Sequence, residues 1–331
     1  MAILVTGVAG FIGFHVADAL LSRGEMVIGI DDLNPYYDPG LKKSRLDQLA
    51  MRHCDSFTFH ELNFAHDEHF EAALSDVDVD RIVHLGAQAG VRYSIENPRA
   101  YVRSNLVGHV NLLEFARARH VAHFVYASSS SVYGANKKLP FDVDDRVDHP
   151  VSLYAATKKA DELMSETYAH LYRLPQTGLR FFTVYGPWGR PDMAMWIFTN
   201  AILNGKPIPV FNHGNMLRDF TYIDDIVSGV IACLDGPPSD DGLRKPGGSI
   251  APHSIYNIGN SKPEQLSTLI DLIEKACGRE AIREYRDMQP GDVPATYANI
   301  DAIANDFGFT PRTTLELGVP HFVDWYRWYN A

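Results

Sequence analysis

Short apolar runs alternate with longer amphipathic stretches through the first half of the chain. The apolar runs are almost continuous, which is typical of strands buried on both faces of a parallel sheet, and the stretches between them have helical periodicity. The strands are predicted at residues 2–5, 26–30, 57–62, 81–85, 123–127 and 176–181. The helices are predicted at residues 11–22, 101–119 and 154–172. This alternation predicts an α/β fold in which a doubly wound parallel sheet is covered by helices on both faces.

Beyond residue 186 the pattern is less regular and predicts a smaller mixed α/β region. Its predicted elements are helices at residues 192–204, 224–234, 263–277 and 315–329 and a short strand at residues 209–211. Residues 236–252 are rich in Pro and Gly, which indicates an exposed loop. We therefore expect two parts, residues 1–186 and residues 187–331, with some segments of the second part returning to the first. A cleft between two such parts is the usual place for a ligand.

Charge and cysteine content narrow the possible partners. The chain has 331 residues and a net charge of −11, which disfavours nucleic acid as a partner. Its three cysteines, Cys54, Cys233 and Cys277, have spacings that match no metal motif, so we expect no metal site and a reducing, cytoplasmic environment. The chain shows no secretory pattern and no apolar run of membrane-spanning length, so we expect no membrane partner.

A glycine-rich turn follows the first predicted strand and opens the first helix. Gly7, Gly10 and Gly13 are three residues apart, and glycine lets backbone amides at a helix N-terminus approach a pyrophosphate. Asp31, at the end of the second strand, offers a carboxylate that accepts hydrogen bonds from a ribose diol and repels a 2′-phosphate. A glycine turn without a ligand is the alternative. The strand before it, the helix after it and Asp31 together favour a dinucleotide, and NAD over NADP.

Tyr154 and Lys158 lie four residues apart in the helix predicted from residue 154. This spacing puts both side chains on one face of the helix. A neighbouring ammonium ion favours the ionised form of a phenol, so such a tyrosine can exchange a proton near neutral pH. The alternative is a half-buried aromatic residue beside a solvated lysine.

Four serines, Ser128 to Ser131, follow the strand predicted at residues 123–127. Residues just past the carboxyl ends of parallel strands line the ligand site of a doubly wound fold. Hydroxyl groups there can hold a substrate hydroxyl, whereas a turn or a helix cap is the alternative use of serine. Four in a row at this place favour a functional role.

These motifs occur in the order found in the extended short-chain dehydrogenase/reductases, and the chain resembles that superfamily over essentially its whole length. Within it, the chain is most similar to the NAD-dependent nucleotide-sugar epimerases, and among them to the UDP-glucuronate 4-epimerases. The segments that carry this likeness are residues 31–38, 88–94, 181–187 and 189–194. The resemblance implies a Rossmann domain that binds NAD in residues 1–186 and a UDP-sugar-binding region in residues 187–331.

The resemblance also implies a reaction, the interconversion of UDP-glucuronate and UDP-galacturonate by transient oxidation at C4′. Tyr154 would take the proton of the 4′-hydroxyl, and Ser129 would hold the 4′-oxygen. Lys158 would favour the ionised form of Tyr154 and hold the nicotinamide ribose. Hydride would pass to the nicotinamide and return to the other face of the keto sugar.

Two sets of binding residues follow from the same resemblance. The residues expected at NAD are Gly7, Gly10, Phe11, Ile12, Gly13, Asp31, Asn34, Asn63, Phe64, Leu85, Tyr154, Lys158 and Tyr185. The residues expected at the UDP-sugar are Gln88, Arg92, Ser128, Ser129, Ser130, Thr183, Arg190, Phe211, Arg218 and Asp292. Many relatives carry Asp at the position of Asn63 and contact adenine through it, whereas Asn63 would accept through its amide oxygen.

The substrate residues divide by the part of the substrate that each would hold. Arg218 would bind the diphosphate, Arg190 would face the nucleotide, and Phe211 would pack near the uracil. Asp292 would either contact the uridine ribose or serve only as a turn residue. The carboxylate of the glucuronate would be held by hydroxyl groups, those of Ser128, Ser130 and Thr183.

Other readings stay open. UDP-glucuronate decarboxylases resemble this chain but carry Glu directly before Val-Tyr-Gly, where this chain has Ser131. UDP-glucose 4-epimerase, a dehydratase and a non-catalytic nucleotide-sensing module are further alternatives. Dehydratases usually have an Asp-Glu pair where Ser130 and Ser131 stand. By analogy with relatives we expect a homodimer that pairs through the helices near Tyr101 and Tyr154.

Overall fold

The fold is described from a computed structural model, which gives the backbone of residues 1–331 and the side chains of all but residues 67 and 68. The strands are Ala2–Thr6 (β1), Val27–Asp31 (β2), Phe57–Glu61 (β3), Val79–His84 (β4), His123–Ser129 (β5), Gln176–Phe181 (β6), Thr183–Tyr185 (β7), Pro207–Phe211 (β8), Leu217–Tyr222 (β9), His253–Ile258 (β10), Pro263–Gln265 (β11) and Ile282–Arg286 (β12). The α-helices are Phe11–Ser22 (α1), Pro39–Arg52 (α2), Asp67–Ala73 (α3), Tyr93–Glu96 (α4), Pro98–Tyr101 (α5), Gly108–Ala118 (α6), Leu153–Tyr172 (α7), Ala194–Leu203 (α8), Ile223–Asp235 (α9), Leu266–Cys277 (α10), Asp301–Phe307 (α11) and Leu315–Tyr329 (α12). Val102–Val107 is a π-helical segment, and Ser130–Tyr133 and Asn212–Gly214 are 3₁₀ turns.

The predicted doubly wound parallel sheet is confirmed. Seven strands lie in the order β10-β6-β5-β4-β1-β2-β3, and every neighbouring pair is parallel. The chain order reverses between β1 and β4, and this is where open α/β sheets bind ligands, beyond the carboxyl ends of the strands. The six strands predicted in the first half are all present, each within two residues of its predicted ends.

Alternate side chains of β1 face the two hydrophobic cores that cover the sheet. Ile3 and Val5 pack on the side of α1, and Leu4 packs on the opposite side with Leu112 and Leu113 of α6. Each of these β1 side chains is at most 1% exposed. Burial on both faces explains why the strand reads as a continuous apolar run.

The second part of the chain contributes to the first sheet. β10 pairs with β6 over the whole of residues 253–258, and α9 packs against α1. β10 was not predicted because His253, Ser254 and Asn257 interrupt its apolar pattern, although all three are buried. Residue 186 is therefore not a clean boundary between two sheets.

Two predicted helices need correction. The helix predicted at residues 101–119 is interrupted by the π-helical segment, where the Asn105 side chain bonds the backbone of Gln88 in both directions. The helix predicted from residue 263 begins only at Leu266, because residues 263–265 pair with β9 as β11. A π-helical turn inside an α-helix frequently marks a functional site.

A buried arginine joins the glycine turn to the second part of the chain. Arg45 of α2 donates hydrogen bonds to the carbonyl oxygen of Ala9 at 2.7 Å and to that of Trp188 at 2.6 Å. Arg45 and Lys42 are buried polar residues within α2. Because they interrupt the apolar face that sequence periodicity would show, α2 was missed.

Candidate active site

A cavity of about 880 Å³ lies between the carboxyl ends of the strands and the second part of the chain. One end is formed by the glycine turn after β1, and the other by residues of β8 and β9. The cavity is lined by all the predicted site residues except Tyr185. Its volume lies within the range of small-molecule and cofactor sites.

The glycine turn leaves no room for side chains. A Cβ atom on Gly13 would lie 2.1 Å from the carbonyl oxygen of Gly7, and one on Gly7 would lie 2.6 Å from the amide nitrogen of Gly86. Gly7 also has a φ of +70°, in the region that favours glycine. The backbone thus forms a tight cradle before the N-terminus of α1, and such a cradle suits a pyrophosphate.

Asp31 lies at the carboxyl end of β2, where the cavity wall is acidic. Its Oδ1 accepts a hydrogen bond from the Leu33 amide at 3.0 Å and lies 3.6 Å from Nζ of Lys42. Burial raises the pKa of the Asp31 carboxyl, and Lys42 opposes this shift. The residues present fit a dinucleotide, because the cradle can hold the pyrophosphate while Asp31 accepts from a ribose diol.

Asn63 has a different hydrogen-bonding role from the one considered for adenine. Its Oδ1 accepts from the Ala65 amide at 2.9 Å, and its Nδ2 donates to Oδ2 of Asp32 at 3.1 Å. Asn34 donates through Nδ2 to the other oxygen of Asp32 at 2.8 Å. Both amides therefore hold Asp32, and the amide oxygen of Asn63 is already used in a local turn.

Tyr154 and Lys158 share the first two turns of α7, whose N-terminus is capped by the hydroxyl of Ser152. Lys158 is 2% exposed, and its Nζ donates to the carbonyl oxygen of Ala127 at 2.8 Å. It also donates to Oδ2 of Asp161 at 3.1 Å. An ammonium ion has three donors, so one remains for a ligand in the cavity that both side chains line.

Ser129 is the last residue of β5 and accepts a hydrogen bond from the Ser131 amide at 3.2 Å, which starts the 3₁₀ turn. Ser129 and Ser130 both line the cavity. The serine run therefore combines the two alternatives considered for it, because Ser129 caps a turn and faces the cavity at the same time.

Ser128 differs from its expected role. Its hydroxyl donates to Oε1 of Glu162 at 2.7 Å, and the residue is 2% exposed. The hydroxyl hydrogen therefore points to Glu162, which argues against Ser128 as a donor to a substrate carboxylate. What Ser128 can offer the cavity is an acceptor oxygen.

A buried ion pair lies directly behind the serine run. Arg180 of β6 donates to both carboxylate oxygens of Glu162, through Nε at 2.8 Å and Nη2 at 3.0 Å. Burial disfavours the charge on Glu162, but Arg180 outweighs it and lowers the pKa of this carboxyl to about 2. Tyr133, in the turn that follows the serines, accepts a hydrogen bond from Arg180 and donates one to Asn257 of β10.

Arg190 faces the cavity with its charge already paired. It donates to Asp192 through Nε at 3.0 Å and through Nη2 at 2.5 Å, and Tyr36 donates its hydroxyl to the same carboxylate at 3.0 Å. Burial opposes the charge of Arg190, but Asp192 raises the pKa of the guanidinium above its usual value. Arg190 can contact a ligand, but it adds little net charge there.

Uncompensated positive charge lies near Phe211 instead. Arg92 stacks over the Phe211 ring at 5.2 Å and lies 3.5 Å from Asp292. Arg218 donates to the carbonyl oxygens of Leu217 and Pro294, and burial lowers the pKa of its guanidinium. Two arginines with one carboxylate between them suit a diphosphate, beside an aromatic face that suits a base.

Tyr185 is the predicted cofactor residue that lies elsewhere. It is 3% exposed in the core on the α1 side of the sheet, and its hydroxyl donates to the carbonyl oxygen of Thr314 at 3.1 Å. A Cβ on Gly318 would lie 2.4 Å from that hydroxyl. Helix α12 thus packs on Tyr185, and Tyr185 does not line the cavity.

Tyr36, Lys42 and Asp192 line the cavity and make the contacts described above, but they were not singled out from the sequence. Tyr36 and Asp192 stand in the segments 31–38 and 189–194 that carry the family likeness, which was a signal for both. No sequence pattern pointed to Lys42, because its helix α2 was not predicted.

Within the part of the chain whose side chains are described, no cluster of three or more His, Cys, Asp or Glu residues is arranged to hold a metal ion. No helix among the described residues is both long and apolar enough to cross a membrane.

Comparison with known proteins places this site in context. Residues 3–259 match the profile of the NAD dependent epimerase/dehydratase family. A relative from Rhizobium meliloti (strain 1021), named as a probable UDP-glucuronate 4-epimerase, is 47% identical over 98% of this chain and 97% of that protein.

Two solved structures superpose on the whole chain. UDP-glucuronic acid 4-epimerase from Bacillus cereus, in complex with UDP-glucuronic acid and NAD, has a TM-score of 0.87 at 31% identity, covering 99% of this chain and 100% of that one. UDP-glucose 4-epimerase from Thermotoga maritima, with UDP-glucose, has a TM-score of 0.88 at 28% identity and covers 100% of both chains.

The Glu162–Arg180 pair yields a stability prediction. Glu162→Gln leaves the buried Arg180 without its counter-ion and should lower the free energy of unfolding by about 3–5 kcal/mol at neutral pH. Because folding lowers the pKa of Glu162 from 4.5 to about 2, the stabilisation is present above pH 4.5 and is lost as the pH falls towards 2. The difference between variant and wild type should shrink over that range.

Urea unfolding as a function of pH measures this difference. The matched control is Asp148→Asn, which removes a carboxylate 3.0 Å from Arg146 at the exposed surface and should change stability by less than about 1 kcal/mol. Equal effects of the two variants at neutral pH would contradict the prediction.

Proposed function

Because the chain belongs to the NAD dependent epimerase/dehydratase family, we propose that it is a UDP-glucuronate 4-epimerase that interconverts UDP-glucuronate and UDP-galacturonate with NAD. The observation that carries this proposal is the convergence of the glycine cradle, the Tyr154–Lys158 pair and the serine run on one cavity. The similarity to the Rhizobium relative and to the Bacillus complex supports the choice of sugar.

We assign the two ends of the cavity to the two ligands. The cradle of Gly7, Gly10 and Gly13 would hold the pyrophosphate of NAD, and Asp31 would accept from its adenosine ribose. Arg92, Arg218 and Phe211 at the other end would hold the diphosphate and uracil of the UDP-sugar. Residues 1–186 then provide most of the cofactor side, and residues 187–331 provide most of the UDP side.

The middle of the cavity would perform the chemistry. NAD, when bound, would supply the acceptor and donor for the hydride of C4′. Tyr154 would take the proton of the 4′-hydroxyl and return it, while Ser129 holds the 4′-oxygen. Lys158 would favour ionised Tyr154 through its charge and would use its third donor on a ligand hydroxyl. The proton returns to the sugar, so the cycle needs no external acid.

The sugar carboxylate would be held by neutral groups. Ser130 and Thr183 line the cavity, whereas the hydrogen of Ser128 is committed to Glu162. The residue before Val132 is Ser131, which disfavours the decarboxylase alternative because those enzymes carry Glu there. Hydrogen bonds that keep the carboxylate in the plane of the keto sugar would slow the loss of CO₂.

UDP-glucose 4-epimerase is the second candidate. The structural similarity to the Thermotoga enzyme favours it, and so does the neutrality of Ser130 and Thr183, since hydroxyl groups can also bind a hydroxymethyl group. The choice between the sugars depends on the donors that reach C6′.

The product formed from each sugar tests the function. Incubation with UDP-glucuronate without added NAD should yield UDP-galacturonate, and UDP-glucose should turn over at least tenfold more slowly, as judged by kcat/KM from chromatography of the UDP-sugars. Tyr154→Phe removes the acid–base hydroxyl and should lower kcat at least 10²-fold, the usual contribution of such a group. Tyr172→Phe, on the exposed face of the same helix, is the control and should keep full activity.

UDP-xylose as the product would support the decarboxylase instead, and faster turnover of UDP-glucose would support the second candidate. Full activity of Tyr154→Phe would rule out the mechanism.

Thr183 tests the role of the carboxylate donors. Thr183→Ala removes one hydroxyl at the cavity wall and should raise the fraction of decarboxylated 4-keto-pentose product several-fold, because the carboxylate is held less firmly. Thr183→Ser keeps the hydroxyl and is the matched control. Mass spectrometry of the products measures the ratio, and an unchanged by-product fraction in Thr183→Ala would remove Thr183 from this role.

We also propose a homodimer that pairs through α7 and the neighbouring π-helical segment. These two elements are in contact, and they expose apolar side chains at Val102, Val107 and Leu163. Exposed apolar residues on adjacent helices are typical of a protein interface.

A charge at the interface tests the dimer. Leu163→Glu should shift the sedimentation coefficient from that of a dimer to that of a monomer, since a carboxylate cannot be buried there without a partner. Leu243→Glu places the same charge at a more exposed leucine in the loop before β10 and should leave the dimer intact. A monomeric wild-type protein, or a dimeric Leu163→Glu variant, would exclude this interface.

A further inference from the structure

Asp161 is a buried carboxylate for which the proposed mechanism has no use. It lies on α7 one turn beyond Lys158, with its side chain 1% exposed. Its Oδ2 accepts from Nζ of Lys158 at 3.1 Å, whereas Oδ1 is buried and has no hydrogen-bond partner among the described residues. A buried carboxylate with one oxygen that lacks a hydrogen bond lowers the stability of the folded state. A functional role would account for its presence.

Lys158 is the cation that pairs with Asp161, because the other titratable groups around Asp161 are neutral or anionic. His109 of α6 and His84 of β4 are neutral, because burial lowers the pKa of His109 to about 3 and lowers that of His84 well below its usual value. Tyr126 of β5 is neutral as well, because burial raises its pKa. Glu162, the next residue on α7, is anionic but is matched by Arg180.

Lys158 stands between Tyr154 and Asp161 along α7. Lys158 lies four residues after Tyr154 and three before Asp161, so the three side chains lie along one side of α7. Its two observed acceptors, the Ala127 carbonyl and Asp161, fix where the positive charge sits. A carboxylate 3.1 Å from this ammonium ion offsets part of its positive field.

We propose that Asp161 is a positioning residue that holds the Lys158 ammonium beside the end of β5 and restrains, by its negative charge, the ionisation of Tyr154. This inference rests on the proposed function, because it assigns to Tyr154 the proton transfer at C4′. The net charge of the Lys158–Asp161 pair then depends on whether Asp161 is protonated.

The protonation of Asp161 makes this balance depend on pH. Burial raises the pKa of Asp161 to about 6, with Lys158 opposing the shift. As the pH falls through this value the carboxyl becomes neutral, and the field of Lys158 on Tyr154 is no longer offset.

Direct titration of Tyr154 tests the proposal without any sugar. The ultraviolet absorbance of tyrosinate is followed against pH in the NAD-loaded protein, and the same titration of Tyr154→Phe is subtracted to isolate Tyr154. Asp161→Asn should move the midpoint of this difference titration to lower pH by about one unit, the low end of the shift that a nearby charge causes. Asp161→Ser removes the same charge with a smaller side chain and should move it in the same direction, in case Asp161→Asn does not fold.

Enzyme kinetics supply a second readout. The acid limb of kcat against pH should move to lower pH in Asp161→Asn, with KM changed less than twofold. The control is Asp271→Asn, which removes an exposed carboxylate 2.7 Å from Arg283 and should leave titration and pH profile unchanged. A midpoint that stays in place, or rises, in a folded Asp161 variant would overturn the proposal. If the wild-type protein epimerises no UDP-sugar, the proposed function fails, and the titration still reports on the pairing of Asp161 with Lys158.

Discussion

Asp161 and Glu162, two adjacent carboxylates of α7, are buried against the cations Lys158 and Arg180. The cavity wall that carries Tyr154 and the serine run depends on these two ion pairs. Charges can be buried only when they are matched, so Lys158 and Arg180 must lie where the carboxylates are. Arg180 is part of β6, and Lys158 donates to the end of β5. The Glu162–Arg180 pair and the hydrogen bond from Lys158 to the Ala127 carbonyl therefore fasten α7 to the sheet, and they set the places of Tyr154 and the serine run relative to each other.

The opposite wall depends on close backbone packing. The glycine turn after β1 touches the backbone after β4, and Arg45 ties the carbonyl of Ala9 to that of Trp188. A fully buried arginine bonded to carbonyl groups holds the glycine turn against the second part of the chain. The cavity thus has one wall made by charge pairing and one made by backbone contact.

Much of this could be read from the sequence where a local pattern was unbroken. The strands of the first half were found because burial on both faces makes them apolar throughout, and Tyr154 and Lys158 were paired because helical spacing is fixed. The failures at α2 and β10 share one cause: Lys42 and Arg45 in α2 and His253 and Asn257 in β10 are buried polar residues whose partners are distant in sequence. Such residues look like surface positions until their hydrogen bonds are known.

By itself the sequence determined the parallel sheet, the glycine cradle and the spacing of Tyr154, Lys158 and the serines, because each follows from backbone geometry over a few residues. Only the tertiary structure decided that Tyr185 lies under α12, that the hydrogen of Ser128 belongs to Glu162, and that β10 completes the first sheet. It also showed that the Lys158 charge is shared with Asp161. These facts depend on which polar groups meet when distant segments pack, and in a buried site every such group must find a partner from wherever the fold brings one.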